Sequence, residues 1–361
     1  MSLPSTQKAL LLPRCGPDAA YAVGERPVPQ PGPGQVLIRN VAVALNPLDV
    51  GIRTLGLYVS EQDWPTVAGW DGAGTIAVLG PNVQTWAVGD VVMYQGWAPP
   101  DYGTFQEYTL AEAELVSRVP GNISIEEATT IPSAYATAVC PLYNTLSAEH
   151  ALGLTPPWDE GGRGKYAGQA ALVIGGSGSV GQLTLQMLKL SGFSPIITTA
   201  SSSNEAYCKS AGATHVIDYH TTSYDALPDK VAELLNGAPL ALAVDAISVP
   251  ESQKASWSAI APGAKLVLVL PSVLEVELGK PEKESGKTVV MAHAVWKSEE
   301  NLKIAARACR ELPGLVESGD VKPNHVEVLP GGLKGINPGV DRLEAKKVSG
   351  AKLVVHPQEG V

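Results

Sequence analysis

Apolar and polar positions change their period partway along the chain. Over roughly the first 120 residues the apolar residues come in short alternating or continuous runs, QVLIRNVAVAL, GTIAVLG, DVVMYQG and FQEYTL, set apart by Gly and Pro. Runs of that length with such punctuation predict the strands of a small β-barrel-like domain. PVPQPGPGQ and WAVGD mark turns between them. From about Ile125 the pattern becomes helix alternating with strand. SIEEATTIPSAYATAVCPLYNTL predicts two helical segments split near Pro132, and GLTPPWDEGGRGKYAG a long polar loop. Apolar runs at 170–175, 195–199, 214–218, 240–245 and 264–270 predict strands, with helices such as NEAYCKSAG and ALPDKVAELLNG between them. Strands interleaved with helices of this length imply a doubly wound parallel sheet. TVVMAHAVW predicts a sixth strand, and SEENLKIAARACRELPGLVESG a charged helix. VEVLPGGL and AKLVVHP return to strand character and are expected to complete the first domain. The fold class is therefore α/β, with a barrel domain at 1–124 completed by 320–361, and a dinucleotide-type domain at 125–319. The chain shows no internal repeat and no low-complexity tract.

The strand at 170–175 runs into GGSGSVG and then into the helical QLTLQMLKLSG. Gly176, Gly178 and Gly181 have the GxGxxG spacing: a tight turn, close backbone approach to a pyrophosphate, and close packing of helix on strand. Ser177, Ser179 and Val180 fill the turn, and the first N–H groups of the helix face the anion. Alone this spacing is weak; between a strand and a helix it is strong. An NAD site would carry a carboxylate about 20 residues further on. Ser201, Ser202, Ser203 and Asn204 stand there instead. Hydroxyls, an amide and helix N–H groups accept a 2′-phosphate without repulsion, so NADPH is favoured, although the same residues serve as a helix N-cap in either case. Tyr219 either adds a phenol to that pocket or is an ordinary strand-end aromatic.

Composition narrows the function. At 361 residues and 45% hydrophobic, the chain has material for two cores. A net charge of −10 with no Lys/Arg cluster argues against nucleic acid and anionic membranes and for small-molecule chemistry. No apolar run approaches the roughly 18 residues of a membrane span. The apolar run near the start is too short for a secretion signal, so a cytoplasmic protein is expected. Cys15, Cys140, Cys208 and Cys309 form no CxxC pair and suit reduced thiols. His150, His215, His220, His293, His325 and His356 show no metal-ligand spacing and are read as structural or exposed. Trp70, Trp97, Tyr94 and Tyr102 either make a cleft apolar or belong to the barrel core.

ALNPLDV, AGWDGAGTIAVLG, VGDVV, YGTFQEYT, IPSAYATA, GGSGSVG and AGATHVIDY together resemble the medium-chain dehydrogenases/reductases over essentially the whole chain. Within that superfamily the likeness is to the zinc-free quinone/enoyl reductases, most of all to fungal trans-acting enoyl reductases that partner polyketide synthases. The resemblance implies a GroES-like first domain and a Rossmann second domain. Zinc-dependent members place Cys where this chain has Asn46 and His-Glu where it has Trp70 and Asp71, and residues 91–120 lack the cysteines of a structural zinc loop. No metal is therefore expected, since Asn and Trp do not replace soft sulfur or imidazole ligands.

By the same resemblance, Asn46, Pro47, Leu48 and Asp49 lie beside the nicotinamide, and Ser177 to Val180 contact pyrophosphate. Leu268, Val269 and Leu270 end the fifth strand on the nicotinamide side, while Val348 and Ser349 close over it. Ser133, Ala134, Tyr135 and Thr137 line the substrate cleft. Tyr58, one residue displaced from the family's tyrosine, is a candidate proton donor, with solvent the alternative because Val50 and Gly51 fill the places of a lysine. The activity implied is NADPH-dependent reduction of an enoyl or enone C=C bond, zinc-independent and belonging to fungal secondary metabolism. A quinone reductase and a non-catalytic NADPH-binding protein are the rivals. The expected partners are a small unsaturated carbonyl substrate and a polyketide synthase or carrier protein. Monomer and homodimer both remain open; the SVLEVELGKPEKESGKT insertion is expected to block sheet-edge pairing.

Overall fold

The computed structural model describes residues 3–360 and divides into two compact units. The first comprises the chain up to Ser133, Leu312–Glu317 and everything from Pro323 onward. Its strands are β1 (Thr6–Leu12), β2 (Ala22–Pro27), β3 (Gln35–Ala44), β4 (Thr66–Val67), β5 (Asp71–Leu79), β6 (Val91–Gln95), β7 (Tyr108–Glu112) and β8 (Val116–Arg118). Two helices, α1 (Pro47–Leu55) and α2 (Ile125–Ala128), lie among them. The predicted runs become these strands because each buries an apolar face; in β3 only Arg39 is exposed.

The second unit carries most of α3 (Pro132–Tyr143). It then alternates β9 (Ala170–Ile174), α4 (Ser179–Ser191), β10 (Ile196–Ala200), α5 (Glu205–Ala211), β11 (His215–Asp218), α6 (Leu227–Leu235), β12 (Leu240–Asp245), α7 (Pro250–Ala259), β13 (Lys265–Leu268), β14 (Thr288–Met291) and most of α8 (Leu302–Glu317). All six strands are parallel, in the order β11-β10-β9-β12-β13-β14. β9 is buried at every residue, as a strand covered on both faces must be. Strand order reverses at β9, so the crevice beyond its C-terminal end is where such a sheet binds its ligand.

The tail supplies β15 (Val326–Val328), α9 (Ile336–Glu344) and β16 (Lys352–Val355). β16 pairs antiparallel with β3, Val354 opposite Ala44, and closes the larger sheet of the first unit, β15-β16-β3-β5-β6-β8 with β7 also on β3. Arg53 of α1, its side chain 8% exposed, is clamped by Asp341 at 2.6 Å and Glu344 at 2.7 Å of α9.

Two boundaries differ from expectation, the later one because Leu312–Glu317 falls in the first unit and Ser318–Lys322 in the second, against an expected break at 319/320. Residues 125–133 were assigned to the dinucleotide domain, yet they belong to the first unit. Thr129 Oγ1 donates to Ala42 O at 3.4 Å, and Asn324 from the tail donates its amide to Thr130 O at 2.9 Å. These bonds tie α2 to β3 and to the tail. The 272–288 segment, expected to block sheet-edge pairing, packs Leu274, Val276 and Leu278 on the core of the second unit. Its Gly279 N–H then donates to Val289 O at 2.8 Å, and Met291 N–H donates to Glu149 O at 2.9 Å. Because Thr288 and Ala292 donate toward the β13 side, these two bonds fall on the outer edge of β14 and cover it with the chain's own backbone. Gly279 sits at φ 73°, and a Cβ there would lie 2.3 Å from Ala148 O, so only glycine fits.

Candidate active site

The glycine turn is shaped by backbone contact. Gly175, one residue ahead of the motif's first glycine, takes the positive φ of 78°, so the tight turn expected at Gly176 is made there. A Cβ on Gly176 would lie 2.1 Å from Thr198 Oγ1, and one on Gly181 would lie 2.2 Å from Gly175 O. Gly178 is the N-cap of α4 and offers no side chain to the helix. Ser177, Ser179 and Val180 are partly exposed around it. An uncapped helix N-terminus beneath a turn of small residues is a cradle for a pyrophosphate, held by backbone dipoles. The residues present thus fit a dinucleotide.

Beyond β10, Ser201 Oγ and Ser203 Oγ are 2.9 Å apart, and Asn204 donates its amide to Ser201 at 3.0 Å. Sequence reasoning found no carboxylate here, but tertiary pairing of β10 with β11 brings one in. Asp218 accepts Ser202 N–H at 3.1 Å and His220 N–H at 2.8 Å. Hydrogen bonds from the His220 backbone lead in holding its carboxyl below the ordinary range. Tyr219, 49% exposed, lies against His220 with ring centroids 4.3 Å apart. On the next strands Val269 N–H donates to Ser248 Oγ at 2.9 Å, Leu268 is buried and Leu270 is 49% exposed.

In the first unit the polar residues of the NPLD turn meet a cation. Asn46 caps α1, and its backbone N–H donates to Asp49 at 2.7 Å. The Asn46 amide donates to Asp71 Oδ2 at 2.8 Å, while its carbonyl accepts Lys352 Nζ at 2.6 Å. Lys352 Nζ lies 2.8 Å from the same Asp71 oxygen, with the lysine 4% exposed and the aspartate 0%. Ser133 N–H donates to the other Asp71 oxygen at 2.7 Å, and Ser133 Oγ to Trp70 O at 2.8 Å. Asn46 and Asp71, which the resemblance sets opposite the Cys and Glu of zinc-dependent members, thus enclose an ammonium. An amide and one carboxylate around a fixed cation do not fit Zn²⁺. Lys352 escaped the sequence reading, although a lysine opening a wholly buried strand, KLVV, is a signal worth pursuing.

Asp49 is fully buried, and that burial pushes its carboxyl up to about 7. Pro47 and Leu48 form the first turn of α1. Tyr58 stands just past that helix, 51% exposed, at a left-handed φ of 62°. Its ring is 5.4 Å from Trp70, which is 5.7 Å from Trp97. Tyr94 is core instead, donating to Asn40 at 2.5 Å. Of the substrate candidates, Ser133 and Thr137 are partly exposed and Ala134 is buried. Tyr135 is 0% exposed and packed edge-on against Trp296, which removes its phenol from any cleft surface. Val348 and Ser349 lie in the loop between α9 and β16. The histidines are not all isolated: His150 and His293 meet at the Glu300 carboxylate.

A parallel sheet with an uncapped glycine turn, accompanied by a barrel-like unit with a polar pocket at its helix cap, is the architecture of dinucleotide-dependent dehydrogenases and reductases. The alcohol dehydrogenase GroES-like domain matches residues 32–121, and the zinc-binding dehydrogenase family matches 179–273. The trans-enoyl reductase thnE of Trichoderma harzianum is 30% identical over 98% of this chain and 96% of its own length. The trans-enoyl reductase caaB of Aspergillus niger is 29% identical over 98% and 97%. A quinone oxidoreductase from Pseudomonas syringae, 23% identical over 97% of this chain and all of its own, superposes with a TM-score of 0.75 and shares the fold. The chain belongs to the medium-chain dehydrogenase/reductase superfamily, in its enoyl-reductase branch. Among the described residues, no helix is long and apolar enough to cross a membrane.

Proposed function

We propose that the protein is a zinc-independent, NADPH-dependent reductase of C=C bonds conjugated to a carbonyl, acting on an enoyl thioester presented by a polyketide synthase or carrier protein. The observation that carries this reading is the buried Asn46–Asp71–Lys352 cluster, which puts an ammonium where an alcohol dehydrogenase needs a metal. The names of the fungal relatives support the substrate class.

The chemistry supplied by the cofactor when bound is hydride delivery to an electron-poor carbon. The turn from Gly176 to Gly181 holds the pyrophosphate through backbone N–H groups. Ser201, Ser202, Ser203, Asn204 and Tyr219 hold the 2′-phosphate, while Asp218, engaged by two backbone N–H groups, fixes the serine turn. Lys352 keeps the Asn46 amide oriented and, paired with Asp71, is not itself a proton source. Tyr58 is the proposed donor to the α-carbon or enolate, its phenol reaching solvent beside the Trp70–Trp97 pair. The covered edge of β14 favours a monomer.

The test follows NADPH and NADH oxidation with an enoyl thioester, an enone, a quinone and an aldehyde. Selective NADPH oxidation by the thioester or enone is expected. Turnover of quinones alone would instead support a quinone reductase, and tight NADPH binding with no acceptor a binding protein. Tyr58→Phe is expected to lower turnover by about 100-fold or more, the size of a lost general acid; unchanged turnover would assign the proton to solvent.

A further inference from the structure

At the covered edge of β14 three ligand-type side chains converge from two loops. His150 follows α3, while His293 and Glu300 bracket the segment between β14 and α8. One ligating atom from each lies within 4.8 Å of the others. His150 Nδ1 is 3.2 Å from the Glu300 carboxylate and 3.1 Å from Ser147 Oγ. His293 Nδ1 contacts the same carboxylate, and the two imidazoles are 5.3 Å apart. The side chains are 27%, 28% and 24% exposed, so an ion reaches them from solvent while most of the shell is protein.

The backbones that carry these ligands are pinned from beneath by two buried asparagines. Asn144 donates to Glu300 O at 2.9 Å and to Asn301 Oδ1 at 2.7 Å. Asn301 donates to His293 O at 2.7 Å and to Val295 O at 3.0 Å. Met291 N–H on Glu149 O fixes the loop beside His150. Asn144 and Asn301 are 4% and 1% exposed. Ligands held this way have lost most of the freedom that metal binding would otherwise have to freeze.

We infer that His150, His293 and Glu300 form a site for one divalent ion of the zinc class, outside the dinucleotide turn and outside the Asn46 pocket. Two imidazoles and one carboxylate suit Zn²⁺, Co²⁺ or Ni²⁺ and leave a further position for water; Ca²⁺ and Mg²⁺ prefer oxygen throughout. Tetrahedral zinc with bonds of about 2.0–2.2 Å spaces its ligand atoms by roughly 3.3–3.6 Å. The ligating atoms here already lie within 4.8 Å of one another. The ion would tie the loop after α3 to the loop after β14 and thereby fasten the cover on the sheet edge.

The test uses the full chain, stripped with chelator and titrated with ZnCl₂ by calorimetry, then with CoCl₂ for the visible bands of a low-coordinate cobalt site. Saturable uptake of one ion per chain is expected, with a higher melting temperature. Glu300→Gln, which keeps size and hydrogen bonding but removes the anionic ligand, is expected to bind at least about tenfold more weakly. His293→Asn serves if that variant folds poorly, and Tm in chelator shows whether each variant is native. No saturable uptake by the wild type would overturn the site. So would equal uptake by folded Glu300→Gln and His293→Asn, since the three side chains would then be only a carboxylate shared by two imidazoles.

Discussion

Two polar clusters, one in each unit, solve the same electrostatic problem in opposite ways. At Asn46, Asp71 and Lys352 the cation is covalent: the ammonium of β16 sits in the pocket, 4% exposed, against a carboxylate from β5 and an amide from the cap of α1. At His150, His293 and Glu300 three donor groups face one another with no Lys or Arg among them and about a quarter of each side chain open to solvent. The first cluster closes around its own ammonium and anchors the NPLD turn through Asn46. The second is more open to solvent, and on the proposal above a borderline metal would complete it. The contrast teaches that a carboxylate buried in the first unit is matched by an ammonium of its own sheet, whereas the more open one in the second is matched by two imidazoles.

The largest effect that would break this comparison is on stability. Lys352→Met strands a fully buried Asp71, and a loss of about 3–5 kcal/mol in urea unfolding is expected. The double variant Lys352→Met with Asp71→Asn should recover much of it; a single variant as stable as the wild type would show that the ammonium is not neutralising the pocket.

Asp49 sharpens the comparison through pH. Burial pushes its carboxyl up from the ordinary 3.8 to about 7 in the folded protein. A raised acid contributes its stability below the unfolded pKa and loses it as pH climbs, so stability should fall between about pH 4 and 7. Asp49→Asn, which still accepts the Asn46 N–H, should flatten that slope by roughly 2–4 kcal/mol. An unchanged slope in chemical denaturation across that range would show that the carboxylate is not the cause.

Smaller effects belong to the dinucleotide turn. Gly181→Ala drives a methyl toward Gly175 O, and a cost of about 1–3 kcal/mol together with weaker NADPH fluorescence binding is expected. Asp218→Asn removes a charge beside the serine turn and should tighten NADPH relative to NADH by no more than about fivefold. A shift toward NADH would mean that Asp218 acts by fixing the serine turn for the 2′-phosphate rather than through its charge.

Much of this fold was legible along the chain. Six parallel strands and the returning tail follow from apolar periodicity, because a strand covered on both faces must be apolar throughout and a helix between strands must be amphipathic. The glycine turn was legible because its chemistry is local: three glycines, a strand before and a helix after. The tight turn moved by one residue to Gly175, since φ is set by the crossing from β9 to α4 and not by motif position. The aromatic set divided, Tyr94 going to the core and Trp70, Trp97 and Tyr58 to one another, because strand register decides which face a ring takes.

By itself the sequence determined the class of each unit, the glycine turn and the absence of soft ligands at Asn46 and Trp70, all properties of neighbouring residues. Only the tertiary structure decided which distant charges meet. Lys352 reaches Asn46 across 306 positions because β16 pairs with β3, and Asp218 reaches Ser202 because β11 lies beside β10. His150 reaches Glu300 across 150 positions because the loops after α3 and β14 share the asparagine frame. Local periodicity carries no record of such pairings: an ion pair depends on where two backbones cross, and that crossing is chosen by the packing of the whole unit.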